Sequence, residues 1–129
     1  MSYTIKNLRE VEDSAPKFGL DAVQEARFAS SDLQTEATGV SFLVVKPGQR
    51  QAFAHRHENA EEVYVILSGR GRIKLGDDVK DVAPMDAIRV APTVARQFEA
   101  GDDGLELLAF GPRHDGDGEL LKEDFWGDS

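Results

Sequence analysis

Two histidines and a glutamate lie close together near the middle of this 129-residue chain. His55 and His57 are one residue apart in "AHRHENAEEVYVIL", and Glu62 opens the apolar run that follows. Side chains of an extended strand alternate between its faces, so both imidazoles point the same way if residues 51–57 are extended. Two imidazoles and a carboxylate form the ligand set that holds Fe(II), Mn(II), Ni(II) or Zn(II) with other coordination positions open. The same spacing also suits a solvated strand followed by an acidic turn.

Further side chains share the faces of these three residues. Gln51 and Phe53 lie on the histidine face of the expected strand, and Tyr64 lies on the glutamate face of the next one. Gln51 is a candidate fourth ligand, since an amide oxygen can bind a metal ion. Phe53 and Tyr64 fit either a packed core or the wall of a pocket, where the Tyr64 hydroxyl would meet a small molecule.

The sequence around this cluster predicts many short strands. Polar and apolar residues alternate in "VQEARFA", and β-branched residues fill "TGVSFLVV" and "EVYVIL". The glycines of "SGRG" predict a turn after "EVYVIL", and "GDD" predicts a hairpin. Short strands at close, regular spacing indicate an antiparallel sandwich or barrel. The strongest helix signal is "GELLKEDFW" at residues 118–126, with Asp117 as its N-cap.

Length and composition indicate one globular domain spanning residues 1–129. Hydrophobic residues make up 40% of the chain and charged residues 30%, which is an ordinary globular balance. Residues 1–22 lack periodicity and are expected to form an arm that lies over the domain. Residues 112–129 form an acidic tail, in which His114 is expected to be exposed. Trp126 near its end is expected to dock on the barrel or on a partner subunit.

Charge and composition also exclude several classes of partner and site. The formal net charge of −9 disfavours nucleic acid and anionic membrane surfaces. The absence of cysteine excludes disulfides and thiolate metal sites. No apolar leader and no bilayer-length apolar run is found, so a cytoplasmic protein is expected.

The stretch from Gly48 to Gly69 resembles the first motif of the cupin superfamily. That motif is a glycine, five residues, His-x-His, three or four residues, a glutamate, six residues and a second glycine. Here six residues follow Gly48, and the remaining spacing fits His55, His57 and Glu62.

A second stretch, "PMDAIRVAPTVARQFEA", is similar to the second cupin motif. That motif reads roughly Pro-Gly-Asp, a strand, a proline, a short turn and a histidine. Pro84 and Asp86 match, Met85 replaces the usual glycine, and the histidine position falls on Arg96. The match extends over about residues 38–111.

The resemblance implies a single-domain, all-β, cupin-type antiparallel jelly-roll barrel with a pocket inside. It implies a divalent metal ion held by His55, His57 and Glu62, and a small-molecule ligand bound in the pocket. The family includes dioxygenases, isomerases and decarboxylases, and the sequence does not choose among them. Family members are commonly dimeric, and a second protomer would cover the outward apolar set Val63, Val65 and Leu67.

Arg96 is the departure from the family pattern, because a guanidinium has no lone pair with which to bind a metal. Three interpretations follow. The metal stays and Arg96 binds an anionic substrate beside it, with Phe98 on the same face. Alternatively, the metal is absent and Arg96 pairs with Glu62 in a non-catalytic module that binds or senses a small molecule. In the third, Arg96 points outward and the barrel is simply packed.

Overall fold

The computed structural model describes residues 2–113, 116–121 and 124–127, so His114 lies outside the described part of the chain. Two 3₁₀ turns, Leu8–Glu10 and Ala15–Phe18, precede the sheet, and a short helix, α1 (Ser30–Leu33), follows its first strand. The strands, numbered in chain order, are β1 (Gln24–Phe28), β2 (Thr38–Val45), β3 (Ala54–His57), β4 (Glu62–Leu75), β5 (Asp78–Val82), β6 (Ala87–Val90), β7 (Arg96–Pro112) and β8 (Gly118–Leu121).

All described strand pairs are antiparallel, and the sheet curls around one core. Its path runs β1-β2-β7-β3-β8, and β4 pairs with β5, β6 and β7. The long strands β4 and β7 pair with each other along most of their length and so form the spine of the sheet. This arrangement confirms the predicted all-β antiparallel barrel.

Glycines inside β4 let this strand pass close to β7 while the strand continues. The expected turn at residues 68–71 is wrong: these residues continue β4, with pairing irregularities on both sides of Ser68 and Gly69. Gly69 has a φ of +81°, and a Cβ there would lie 1.9 Å from the Gly104 carbonyl oxygen. A side chain is excluded by that approach, so these glycines mark a close crossing of two strands rather than a loop.

The core is built from the inward faces of β2, β4 and β7. Tyr64 and Ile66 are fully buried, whereas their neighbours Val63 and Val65 keep part of their surface exposed, as strand alternation requires. The most deeply buried apolar side chains of these strands are Val45, Tyr64, Ile66, Ile73, Phe98, Leu105 and Leu107.

Residues 118–121 are extended where a helix was expected. Gly118–Leu121 form β8, which pairs with β3 from Ala54↔Leu121 to His57↔Gly118. Main-chain pairing with a free strand edge therefore overrides the weak helical pattern, and residues 122–123 of the predicted helix lie outside the described residues.

The aromatic pair near the terminus docks on the barrel, one of the two placements expected for Trp126. Its ring lies 4.2 Å from the Arg50 guanidinium and 5.1 Å from that of Arg72, and its Nε1–H donates to Gln97. The Lys74 ammonium lies over the Phe125 ring and donates to the Phe125 carbonyl.

The N-terminal segment lies along the outer face of β2 and β7. The Arg9 guanidinium sits 5.0 Å from the Phe42 ring centre and pairs with Glu106, while Val11 is buried. Beside it the outer face keeps apolar surface exposed at Leu67 and Phe110. In the described ranges, no helix has the length and apolar character needed to cross a membrane.

Candidate metal centre

Strand β3 and the start of β4 bring the three predicted ligands together. His55 and His57 alternate on β3, and Glu62 is the first residue of β4. The Nε2 atoms of His55 and His57 lie 3.3 Å and 3.1 Å from Oε1 of Glu62. The two strands do not pair directly in the described sheet; β7 lies between them and pairs with both. The predicted convergence is therefore present, although the ligands come from strands separated by a third.

The donor atoms are close enough to share one cation. One ligand atom from each of His55, His57 and Glu62 lies within 4.8 Å of the others. Metal–ligand distances of about 2.1 Å place neighbouring ligands of an octahedron about 3 Å apart, close to both nitrogen–oxygen separations. Both ring nitrogens of His57 are buried without a hydrogen-bond partner among the described residues, since its 3.1 Å contact with Glu62 lacks hydrogen-bond geometry. A cation between His57 and Glu62 would supply the missing partner of Nε2, so the residues fit a divalent transition metal.

Glu62 stays ionised in this environment. Burial alone raises the pKa of its carboxyl, but hydrogen bonds from His55 and Tyr64, with the nearby imidazoles, bring the pKa down to about 2. The Tyr64 hydroxyl donates to Oε1 at 2.6 Å. Burial and the Glu62 charge in turn raise the pKa of Tyr64, so the phenol remains a donor. The carboxylate is thus a fixed negative charge at the centre of the site.

Arg96 lies at the first position of β7, directly paired with His55, and its side chain is 0% exposed. This excludes the interpretation in which it points outward to solvent. Its Nη2 donates to the Ala91 carbonyl at 3.1 Å, and its Nη1 lies 3.9 Å from Oε1 of Glu62. Nε and Nη1 have no hydrogen-bond partner among the described residues. A buried cation therefore sits beside the ligands with two donors unused.

The other predicted site residues take different places. Tyr64 and Phe98 stack edge to face in the core with ring centres 5.2 Å apart, and only the Tyr64 hydroxyl reaches the site. Phe53 is half-buried immediately before β3. The expected continuation of the strand to Gln51 is wrong, since β3 begins at Ala54. The Gln51 side-chain oxygen accepts the Phe98 amide N–H at 3.0 Å, so that oxygen holds the loop to β7, and the binding role of Gln51 stays a prediction.

Asp117 is the residue near the site that sequence reasoning assigned wrongly, as a helix cap. Its Oδ2 lies 3.4 Å from Nδ1 of His57, and the side chain is only 3% exposed. Burial raises the pKa of this carboxyl, but N–H donors of Ala60 and Asn59 outweigh it and lower the pKa. The one available signal was the alternation of acidic residues 115, 117 and 119, which suits a strand better than a helix.

Comparison with known sequences supports the motif resemblance. The family described as "Cupin domain" matches residues 41–111, which is more than half of the chain. The uncharacterized protein MJ1618 of Methanocaldococcus jannaschii is 30% identical over 81 residues, covering 60% of this chain and 65% of that protein. The chain thus spans less than two thirds of that relative's length.

Solved structures show the same fold at low sequence identity. The polyketide cyclase RemF from Streptomyces resistomycificus superposes with a TM-score of 0.76 at 18% identity, covering 98% of this chain and 91% of that one. Oxalate decarboxylase from Bacillus subtilis gives a TM-score of 0.74 at 18% identity, covering 92% of this chain and 33% of that one. At such identities the similarity establishes the fold alone.

Proposed function

Because this chain belongs to the cupin family, we propose that it binds one divalent transition-metal ion through His55, His57 and Glu62, and a small anionic organic molecule beside it through Arg96. The observation that carries the proposal is the convergence of three ligand atoms within 4.8 Å next to a buried guanidinium with unused donors. Imidazole and carboxylate ligands suit Fe, Mn, Ni or Zn.

Arg96 gives the site its preference for an anion. A buried guanidinium with two donors that lack acceptors is costly, and a carboxylate or phosphate satisfies them with charge-assisted hydrogen bonds. The anion also offsets the repulsion between Arg96 and a bound cation. Oxalate is a suitable first probe, since a structurally similar protein is an oxalate decarboxylase and oxalate is a small dicarboxylate.

Each side chain has a distinct task in the proposed site. Glu62 and the two imidazoles hold the cation, the Tyr64 hydroxyl orients the Glu62 carboxylate, and Arg96 holds one end of the anion. A bound metal would supply Lewis-acid or O₂ chemistry.

Metal content is the first test. Tag-free wild-type protein, incubated with Fe(II), Mn(II), Ni(II) or Zn(II) and desalted, is expected to retain about one metal per chain by mass spectrometry, and His57→Ala to retain none. Arg56→Ala is the matched control, because Arg56 lies between the two histidines on β3 and pairs with Glu119 at the surface. Equal metal in wild type and His57→Ala, or none in either, would refute the proposed centre.

A second candidate function is a metal-free binding or sensing module. The 3.9 Å separation between Arg96 Nη1 and Glu62 Oε1 favours it, since the two side chains already form a long ion pair. Calorimetry with oxalate separates the candidates. Binding that requires metal and is lost in Arg96→Gln supports the metal centre, whereas binding that persists in EDTA supports the module. Arg89→Gln, an exposed arginine paired with Glu61, is the control.

We further propose that the protein is a cytoplasmic homodimer that does not bind nucleic acid or membranes. The net charge of −9 supports the exclusion of polyanions. The exposed apolar surface at Leu67 and Phe110, next to Val63 and Val65, supports a second copy on the outer face of the sheet.

A further inference from the structure

The last described strand reaches back to the metal-ligand strand and places a carboxylate behind one imidazole. Strand β8 pairs with β3 so that Gly118 lies opposite His57. The Asp117 Oδ2 atom is then 3.4 Å from Nδ1 of His57, while Nε2 on the other side of the ring is 3.1 Å from Glu62. The ring thus lies between two carboxylates, one in the proposed ligand set and one outside it.

The backbone at Gly118 lies next to the imidazole of His57. A Cβ at Gly118 would lie 3.6 Å from Cε1 of His57, so the glycine and the imidazole edge are in close apposition. Strand β8 thus runs beside the ring at van der Waals distance, and Asp117, which precedes Gly118, brings its carboxylate to Nδ1.

Asp117 is itself held firmly. Its carboxylate accepts hydrogen bonds from the main-chain N–H groups of Asn59 and Ala60 and from the Asn59 side-chain amide. Its main-chain oxygen accepts the Glu58 N–H. The loop between β3 and β4 is thereby tied to the same carboxylate that faces His57.

We propose that Asp117 is a positioning residue for the metal centre: it takes the Nδ1–H of His57 and so fixes the tautomer whose Nε2 lone pair is free for the cation. This inference rests on the proposed metal site. A carboxylate behind a ligating imidazole holds the ring orientation and increases the basicity of the ligating nitrogen. The present 3.4 Å separation is longer than a full hydrogen bond, and metal binding is expected to strengthen it.

The tautomer is measured first, in metal-free protein labelled with ¹⁵N-histidine at about pH 8, where free imidazole is neutral. The His57 signals are assigned with His57→Ala. Wild type is expected to show a protonated Nδ1 and a bare Nε2, and Asp117→Asn a shift of the proton toward Nε2. A wild-type ring protonated on Nε2 overturns the proposal, whether or not the protein binds metal.

Metal affinity gives the second readout, by competition of Zn(II) with a fluorescent chelator. Asp117→Asn is expected to weaken binding roughly 10- to 100-fold. Glu119→Gln is the matched control on the same strand, because Glu119 is exposed and pairs only with Arg56 among the described contacts. Unchanged affinity in Asp117→Asn contradicts the inference and leaves the metal site standing, whereas no Zn(II) binding by wild type removes the proposed function.

Asn59→Ala distinguishes positioning of the ring from support of the loop. It removes the Asn59 side-chain contact with Asp117 and leaves the carboxylate facing His57. The tautomer and the affinity are expected to stay near wild type. If Asn59→Ala loses as much affinity as Asp117→Asn, Asp117 acts through the loop alone and the proposal fails.

Discussion

One oxygen atom, Oε1 of Glu62, carries most of the polar contacts of the site. It accepts the Tyr64 hydroxyl, lies near both histidine Nε2 atoms and is 3.9 Å from Arg96. A metal ion bound to this carboxylate would place a second positive charge next to the Arg96 guanidinium. Metal binding and pairing with Arg96 therefore compete for the Glu62 carboxylate. The two candidate functions differ in whether Glu62 binds a metal ion or pairs with Arg96.

Replacing Glu62 with glutamine is expected to lower metal affinity by more than about 100-fold, since a neutral amide is a poor ligand and loss of an outer partner alone costs 10- to 100-fold. It should also destabilise the fold by about 3 kcal/mol, because Arg96 is buried and Glu62 is the one carboxylate among the described residues with which it forms an ion pair. Chelator competition and urea unfolding measure the two effects.

Glu61→Gln is the control for that change. Glu61 is exposed and pairs with Arg89 at 3.0 Å on the surface. It should leave metal affinity unchanged and cost less than about 1 kcal/mol. Wild-type affinity in Glu62→Gln would exclude Glu62 as a ligand.

At the scale of the elements, the spine of β4 and β7 depends on a close approach of two main chains. Gly69 combines a left-handed backbone with a carbonyl oxygen where a Cβ would stand. Gly76, in the turn between β4 and β5, also has positive φ but open space around it. Substituting each glycine in turn therefore distinguishes two contributions to the loss of folding stability, one from the left-handed backbone and one from steric crowding.

Gly69→Ala is therefore expected to cost at least about 3 kcal/mol, the sum of a left-handed backbone and an overpacked crossing. Gly76→Ala should cost about 1–2 kcal/mol, from conformation alone. Urea denaturation followed by circular dichroism measures both. Equal losses would show that β4 and β7 separate easily at this crossing.

The docked segment around Trp126 depends on an ion-pair clamp. Glu99 bonds Arg50 at 2.7 Å and Arg72 at 2.6 Å, and both guanidinium groups lie over the Trp126 ring. Burial raises the pKa of Glu99, but hydrogen bonds from Arg72 and Arg50, with their charges, outweigh burial and hold the pKa below the ordinary value of a glutamate. Both ion pairs of Glu99 are therefore intact at pH values above the ordinary pKa range of carboxyl groups. They are lost as the pH falls below that range.

Trp126 is the only tryptophan of the sequence, so its fluorescence reports on this clamp. Acidification from pH 7 is expected to shift its emission to longer wavelength only when the pH falls below the ordinary glutamate pKa of about 4.3, because the pKa of Glu99 is lowered. Glu99→Gln should show the shifted emission already at pH 7. Glu106→Gln, which removes a carboxylate paired with Arg9 instead, should behave as wild type. Unshifted emission in Glu99→Gln would mean that Gln97 and packing alone hold the ring.

Much of the site follows from strand alternation and motif spacing. His55 and His57 point the same way because side chains two apart share a face, a property of any strand, and the motif spacing identified Glu62 as the third ligand. The expectations that failed depend on long-range pairing. Residues 118–121 extend because β3 offers them an edge, and residues 68–71 stay in β4 because β7 passes close by. Neither partner is visible in the local sequence, so the alternation of acidic residues alone could not place Asp117 beside His57.

For the whole molecule, the outer face of β4 and β7 is the surface on which we propose that a second copy binds. Leu67 is 43% exposed and Phe110 38%, and the N-terminal segment covers only part of the face beside them. Burying such a patch against a second copy is favourable by roughly 25 cal/mol per Å² of apolar surface. The apolar face and the net negative charge together favour a specific dimer over wider aggregation.

Sedimentation equilibrium is expected to show a dimer that the pair of changes Leu67→Lys and Phe110→Lys converts to a monomer, because each places a charge in the apolar patch. Val79→Lys is the control, since Val79 is 40% exposed on β5, outside the patch. A wild-type monomer, or a doubly substituted protein that remains dimeric, would place the interface elsewhere or remove it.

The pairing of β3 has a consequence for how the protein is made. Its two histidines leave the ribosome before either strand that holds them, because β7 and β8 both lie later in the chain. Until synthesis reaches residue 121, the ligand strand has no complete set of neighbours, and His57 lacks the carboxylate behind it. Metal loading is thus expected to follow synthesis of β8, so that the cation binds to the assembled strands and not to the isolated ligand strand.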